Sequence, residues 1–327
     1  MLKSVQFKNY KALEDTELPL GRFTLIVGPN GSGKTTALTA IASTSNGHGT
    51  FEDIVTAHHR KSPDAAVMVR LEWDEPIEAL YVEWVWKLGK KTKNTNNLPD
   101  AEYFNQLGRT RIFSLQATAI SNPVMLAPQI ELSSDGTGLA GVLDRLRDHE
   151  PERFEDLNRE LGEWLPEFNR ILFQVPSDGN RSFSLRIRNT GHEIRATDLS
   201  HGTLFAVALL TLSYLPDPPS IVGLEDPDQG IHPRLLRRVK DAIYRLAYPE
   251  NFGDQRDPVQ VIATTHSPYF LDLFKDHPEE VVIAGKTQQG VQFQRLSELP
   301  NVSEILADAP LGEVWYTGIL GGVPTGS

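Results

Sequence analysis

The chain has 327 residues, 39% of them hydrophobic, which is enough for a sizeable α/β core and excludes wholesale disorder. Lys plus Arg total 32 against 43 Asp plus Glu, a formal net charge of −11, which excludes a generic nucleic-acid binder; any such contact needs a local basic patch or a partner. There is no cysteine, which excludes disulfides, thiolate metal sites and cysteine nucleophiles and fits a cytoplasmic location.

The opening Met1 to Phe7 has no apolar run of signal-peptide type, and the longest apolar stretch, Leu204 to Leu212, is far short of the roughly 20 residues of a membrane span. A soluble protein is therefore expected, in which the Asn180 and Asn301 sequons carry no meaning. Strands are expected at Leu2 to Phe7, Leu18 to Leu20 and Phe23 to Val27. A helix follows from Lys34 to about Ala42, then a loop from Ser43 to Lys61. Leu80, Val82, Trp84, Trp86 and Leu88 alternate with Tyr81, Glu83, Val85 and Lys87, the period of a half-buried strand. Lys90 to Asp100 reads as a solvated loop by composition. Two helical stripes follow, Leu139/Val142/Leu143/Leu146 and Phe154/Leu157/Leu161/Trp164/Leu165, both core. Strands at Ile171 to Val175 and Phe183 to Ile187 flank an Asp178-Gly179 turn. The last third alternates: helix Thr203 to Leu215, strand Ile221 to Leu224, helix Arg234 to Leu246, strand Val259 to Thr264, helix Pro268 to Phe274 and strand Val281 to Ala284. Strands alternating with helices imply a mostly parallel sheet.

Between an apolar strand and a helix lies Gly28-Pro29-Asn30-Gly31-Ser32-Gly33-Lys34-Thr35, a full G-x-x-x-x-G-K-[ST] match. Glycines let backbone N–H groups turn inward around phosphates, and the helix N-terminus adds partial positive charge. Lys34 suits the β- and γ-phosphates of ATP, the Thr35 hydroxyl suits Mg²⁺, and Thr36 completes the segment. Ser220 to Pro227 is an apolar strand ending in Glu225 and Asp226, a Walker B pattern in which Glu225 suits the metal and Asp226 the attacking water. Alone, it reads equally as a strand with a capping acidic turn. Val261 to Pro268 is a strand ending in His266, placed for a γ-phosphate; there Thr265 or Ser267 also suits helix capping. Leu199-Ser200-His201-Gly202 opens an apolar helix, as an anion site or as simple capping by Ser200.

In this order the motifs resemble an ABC-class ATPase. Leu199-Ser200-His201-Gly202 is similar to the LSGGQ signature, with His201 in place of a glycine; Glu225-Asp226 resembles Walker B plus the catalytic carboxylate; His266 resembles the switch histidine. The wording FKNYKALEDTELPL…LIVGPNGSGKTT, LSHGT, LEDPDQGIHP and TTHSPYF is closer to the RecF/SMC/OLD branch, and within it to stand-alone OLD-like AAA family ATPases of bacteria, over nearly the whole chain. The resemblance implies an α/β P-loop NTPase fold: an ABC-type ATPase head with a mostly parallel core sheet, an antiparallel β subdomain and an inserted helical lobe. It implies one domain over 1–327, with an N-terminal lobe at 1–115, a helical/β lobe at 116–198 and a lobe carrying signature, Walker B and switch histidine at 199–327. It also implies a head-to-tail homodimer in which Ser200, His201 and Gly202 of one subunit close the phosphate loop of the other. Gln116, after the strand Arg111 to Leu115, is the candidate water-bridging glutamine, and His232 is expected near the dimer seam.

OLD-like proteins carry Glu-Glu-Pro where this chain has Glu225-Asp226-Pro227, and an Asp base one methylene shorter implies slow turnover. About sixty residues follow His266, too few for the Toprim domain of full OLD nucleases. The expected function is an ATP-hydrolysing switch gating a separately encoded effector, a nuclease, in bacterial genome or antiphage defence, reaching nucleic acid through that complex. The alternatives are a RecF-like DNA-repair ATPase and a non-catalytic ATP-dependent clamp or scaffold. His48, His58 and His59 read as a solvated cluster rather than a metal site. The Arg234, Arg237, Arg238, Lys240 and Arg245 helix reads as amphipathic with its cations in water, in preference to a DNA-binding face. The tail Leu311 to Pro324 reads as packing on its own sheet or docking a partner, self-packing being preferred.

Overall fold

A computed structural model describes all residues except 47–49, 58–64, 74–79, 96–100, 128, 175–178, 288–289 and 321–327; His48, His58 and His59 lie outside the described residues. In chain order the elements are β1 (Leu2–Tyr10), β2 (Leu13–Pro19), β3 (Phe23–Val27), α1 (Lys34–Asn46), α2 (Phe51–Ile54), β4 (Val67–Trp73), β5 (Tyr81–Lys87), β6 (Lys90–Thr95), α3 (Ala101–Gly108), β7 (Thr110–Phe113), α4 (Ala117–Ser121), α5 (Leu139–His149), α6 (Pro151–Trp164), β8 (Phe168–Gln174), β9 (Ser182–Ile187), β10 (Glu193–Arg195), α7 (His201–Ser213), β11 (Ile221–Leu224), α8 (Leu236–Ala247), β12 (Gln260–Thr265), α9 (Pro268–Leu271), β13 (Val281–Thr287), β14 (Gly290–Arg295), α10 (Val302–Asp308) and α11 (Leu311–Tyr316). They form two compact units, one from Met1–Ile112, Pro219–Leu224 and Val259–Ser327, the other from Phe113–Pro218 and Glu225–Pro258.

The first unit holds two sheets. The five-stranded one has the order β2-β1-β4-β5-β6, antiparallel at each pairing. The six-stranded one has the order β14-β13-β3-β12-β11-β7, with β13, β3, β12 and β11 mutually parallel and β14 antiparallel at one edge. Between them lies a core that includes Val5, Phe7, Ile41, Val69, Leu71 and Ile262, all fully buried. Burying each such side chain stabilises the fold by about 1.5–3 kcal/mol. The buried Gln260 ties the two sheets: its Oε1 accepts from Leu2 N at 2.9 Å, while its Nε2 donates to Leu2 O at 2.7 Å and Gly21 O at 2.8 Å. That amide closes backbone groups that would otherwise be buried without partners.

The second unit packs α4 to α8 with a three-stranded antiparallel sheet, β10-β9-β8. Helix α7 is apolar nearly all round, with Leu204 and every residue from Ala206 to Ser213 buried, as befits a central helix. On α6, buried Asn158 caps its neighbour strand: its Oδ1 accepts from Ile171 N at 2.8 Å. Among the described residues, no helix is long and apolar enough to cross a membrane.

Several elements differ from the sequence reading. Lys90 to Thr95 is a strand, not a loop, because β5 offers it a full antiparallel backbone ladder. Helix α1 runs on to Asn46, the short helices α2, α3 and α4 appear, and β14 pairs with β13 where no strand was expected. Of the cations read as solvated, Arg234 and Arg237 are exposed, Arg238 reaches the exposed Glu163 at 3.2 Å, and Arg245 departs from the expectation, its side chain drawn to Glu160 at 2.8 Å. The described part of the tail packs on its own chain, against a helix. Its helix α11 lies against α9, with Gly312 N donating to Asp272 Oδ1 at 2.6 Å.

Candidate functional site

The phosphate loop leaves β3, whose five residues are all buried, so the loop starts from a fixed point. Gly28 admits no side chain, because a Cβ there would meet the Ala284 carbonyl and lie 2.7 Å from Ser32 Oγ. Gly31 and Gly33 have φ of +77° and +82°, the left-handed region that favours glycine. Lys34 opens α1 and is 5% exposed. Its ammonium is held inside the loop, donating to Gly28 O at 2.8 Å and Pro29 O at 2.9 Å, with Ser32 Oγ at 3.4 Å. Asn30 and Thr35 are exposed, and Pro29 and Thr36 are half-buried. A lysine ammonium inside a ring of turned backbone, at a helix N-terminus, has the chemistry of a polyphosphate cradle.

His266 belongs to the same edge. β12 pairs with β3 in parallel, Thr265 opposite Val27, so the residue after each strand, His266 and Gly28, emerges at the same end of the sheet. The local geometry also caps α9: Ser267 Oγ accepts from Phe270 N at 3.2 Å, and Thr265 Oγ1 accepts from Ser267 N at 3.0 Å. Those bonds fix the backbone on both sides of His266, whose side chain is exposed.

In the second unit, Glu225 and Asp226 directly follow β11 in the chain. Both are half-buried, and Glu225 N donates to Phe113 O at 2.9 Å. Asp226 has φ +42°, a left-handed conformation costly for a residue with a side chain, held by Gln229 N donating to its carbonyl at 2.9 Å. Such strain concentrates where the surrounding fold must aim a functional group. Ser200 is exposed and caps α7: its Oγ accepts from Thr203 N at 3.2 Å and lies 2.8 Å from Thr203 Oγ1. His201 is exposed, and Gly202 is half-buried beneath Gly230. Gln116 is exposed at the start of α4, its backbone N bonded to Asp135 O at 2.8 Å. His232 is exposed, and its Nδ1 accepts from Arg234 N at 3.2 Å.

Two supports escaped the sequence reading. The turn Ser133 to Gly138 anchors the Gln116 segment, and its Asp135 carboxyl is held below the usual carboxylate range by the Thr137 backbone N–H. The Ser-Ser-Asp-Gly-Thr-Gly composition there was the available signal. Gly230, with φ +69°, lies under the signature helix and was detectable only as a turn glycine.

The Thr35 hydroxyl in the first unit and the Glu225 carboxylate in the second are each oxygen donors of the kind that hard cations take. Among the described residues, no group of three or more His, Cys, Asp or Glu side chains is placed to hold a metal ion.

Comparison with known proteins agrees with this arrangement. A family model described as AAA domain, putative AbiEii toxin, Type IV TA system matches residues 84–272, and one described as AAA ATPase domain matches residues 1–68. A stretch of 41 residues is 66% identical to part of the OLD nuclease of Thermus scotoductus, covering 12% of this chain and 8% of the nuclease, so the match spans under a tenth of that relative. Among solved structures, an SMC head bound to the C-terminal winged-helix domain of ScpA aligns over 90% of this chain and 96% of its own, with a TM-score of 0.63 at 13% identity. The SMC head domain from Thermotoga maritima aligns over 90% and 98%, with a TM-score of 0.53 at 19% identity. An SMC head with an extended coiled coil, bound to the C-terminal domain of ScpA from Pyrococcus furiosus, aligns over 94% and 99%, with a TM-score of 0.62 at 12% identity. At these identities the structural likeness establishes the fold. Since the first model covers more than half of the chain, the protein belongs to the AAA-domain family described as putative AbiEii toxin, Type IV TA system, and is a P-loop ATPase with the fold of an SMC head.

Proposed function

We propose that the chain is a dimeric ATP switch that gates a separately encoded effector, a nuclease, in bacterial genome or antiphage defence. The observation that carries the ATP part is the Lys34 ammonium held inside the phosphate loop, at the same sheet end as His266. The defence part draws support from the toxin–antitoxin description of the family model and from the segment shared with an OLD nuclease.

In this reading the backbone from Pro29 to Gly33 wraps the β-phosphate, Lys34 moves from the loop carbonyls to the β- and γ-phosphate oxygens, and Thr36 supports the loop. Thr35 and Glu225 hold Mg²⁺, which when bound neutralises charge on the β- and γ-phosphates. Asp226 accepts a proton from the attacking water, Gln116 helps position that water, and His266 donates to the γ-phosphate. An Asp rather than a Glu base shortens the reach, so turnover is slow. The partners are a second copy of the chain and the effector, with nucleic acid reached through the complex.

The phosphate loop supplies donors to one side of the triphosphate only. The far side of the γ-phosphate needs a second donor set as charge develops. Ser200 Oγ and the backbone N–H groups of His201 and Gly202, at the start of a long helix, suit that role, and a two-fold axis brings them from the other subunit. The test mixes Lys34→Ala with Ser200→Arg subunits, each inactive alone. The mixed dimer keeps one composite site, so ATPase activity should return in part. Samples shown by mass to contain heterodimers yet remaining inactive would leave a self-contained ATPase instead.

A further inference from the structure

The helix that follows His266 is held from two sides, and both sides belong to the first unit. On the core side, Phe270 and Phe274 are fully buried, their rings edge-to-face with centroids 5.3 Å apart. Phe274 in turn stacks on Phe23 at 5.3 Å. Phe23 opens β3, the strand that leads into the phosphate loop. Apolar burial is non-directional, so these rings set the depth of α9 more firmly than its rotation.

On the other side lies α11, seated by the buried side chains of Leu311, Val314 and Trp315. Its Gly312 is buried and has no room for a side chain. A Cβ there would meet the Pro268 carbonyl group, 2.7 Å from its carbon, and would lie 2.9 Å from the Pro268 α-carbon. Gly312 N donates to Asp272 Oδ1 at 2.6 Å. Hydrogen bonds to carboxylates are short and roughly twice as strong as neutral ones. The N–H is one that the first turn of a helix leaves over, and the α11 cap residue, Pro310, makes no side-chain bond of its own. Pro268 is the first residue of α9 and Asp272 directly follows its last. One contact at each end of a short helix fixes its rotation.

That rotation reaches His266 because the chain between is short and stiff. Thr265 is held in β12 opposite Val27. Ser267 N donates to Thr265 Oγ1, Ser267 Oγ accepts from Phe270 N, and Ser267 O accepts from Leu271 N at 3.0 Å. Pro268 has its own φ locked by its ring. His266 is the one residue between the strand and the cap, so a turn of α9 is taken up there.

We propose that Gly312 and Asp272 are positioning residues for ATP hydrolysis: together they set the rotation of α9, and through it the direction in which His266 leaves the sheet. This rests on the reading of His266 as a donor to the γ-phosphate. It adds that α11 governs the rate without touching the nucleotide.

The test is a double-mutant cycle, read as steady-state ATPase kinetics of the full chain with Mg²⁺. Gly312→Ala forces Pro268 away and should lower kcat at least about tenfold, since a misplacement of about 1 Å costs up to roughly 10²-fold. KM for ATP should stay within about twofold, because the phosphate loop is untouched. Should Gly312→Ala fail to fold, Asp272→Ala should lower kcat in the same way, while Asp272→Asn, which keeps an acceptor oxygen, should stay near wild type. His266→Ala alone should lower kcat by roughly 10²-fold. Adding Gly312→Ala or Asp272→Ala to it should lower kcat no further. A wild-type rate in His266→Ala would remove the role of His266, and this proposal with it. With His266→Ala slow, two outcomes overturn the positioning role alone: wild-type kcat in Gly312→Ala and Asp272→Ala, or the same fold loss with and without His266.

Discussion

The α-carbon of Gly202 lies directly beneath the carbonyl oxygen of Gly230, with no room between them for a side chain. Gly202 is in the first turn of α7, and Gly230 is in the segment that leaves Asp226, so the signature-like motif and the acid-bearing turn press on each other within one unit. A glycine at 202 is therefore required by packing in the same chain, whatever it does for a nucleotide.

Gly202→Ala should push the 226–232 segment off its position. Overpacking of this kind costs about 1–3 kcal/mol, readable as a lower midpoint in denaturant titration. ATP affinity, set by the phosphate loop, should hold while kcat falls. A variant as stable as wild type would mean that the segment yields freely and that the two motifs are not coupled.

Lys34→Ala removes the ammonium that the Gly28 and Pro29 carbonyls hold inside the loop. ATP affinity or turnover should collapse while α1 and the core sheet survive, since the lost contacts are local. Circular dichroism checks the fold and a coupled ATPase assay the loss. Equal rates in the purified variant and wild type would remove the phosphate-loop assignment.

Asp226 invites a pair of substitutions. Asp226→Asn keeps the shape and loses the proton acceptor, so turnover should drop by roughly 10²-fold or more while ATP-bound dimers accumulate. Asp226→Gly should also be inactive, yet more stable by about 1 kcal/mol, because glycine adopts φ +42° without strain. Thermal melting separates the two. A destabilised glycine variant would show that side-chain contacts outweigh the backbone cost.

Asp254 sets an acid limit. Both of its oxygens accept from Arg153 at 2.9 Å, and Arg256, which also donates to Leu215 O at 2.9 Å and Arg245 O at 2.7 Å, stands beside it. The Arg153 hydrogen bonds hold the Asp254 carboxyl below the usual carboxylate range. A lowered folded pKa means stability present in full above the unfolded value, about 3.9, and lost as pH falls through the lower folded value. Burial also pulls Arg256 down to about 10, and the Asp254 carboxylate opposes that pull. Asp254→Asn should cost about 3 kcal/mol at neutral pH, with the melting curves of variant and wild type converging as pH falls through the lowered folded pKa of Asp254. Curves that stay parallel to low pH would refute the pairing.

Local signals along the chain are enough for some of these features. Gly28 to Thr35 must turn as it does because glycines sit where φ is positive, and strand–helix alternation in the last third follows from hydrophobic period. Tertiary structure decided the rest. Lys90 to Thr95 has no apolar alternation and is a strand only because β5 supplies its hydrogen bonds. Residues 219–224 return to the first unit because β11 completes the sheet beside β12, a pairing between segments forty residues apart. The left-handed Asp226, the Gly202–Gly230 contact and the charge cluster around Asp254 likewise depend on which distant groups meet. Period and turn chemistry are written residue by residue, whereas the free energy of a long-range contact exists only once both partners are in place.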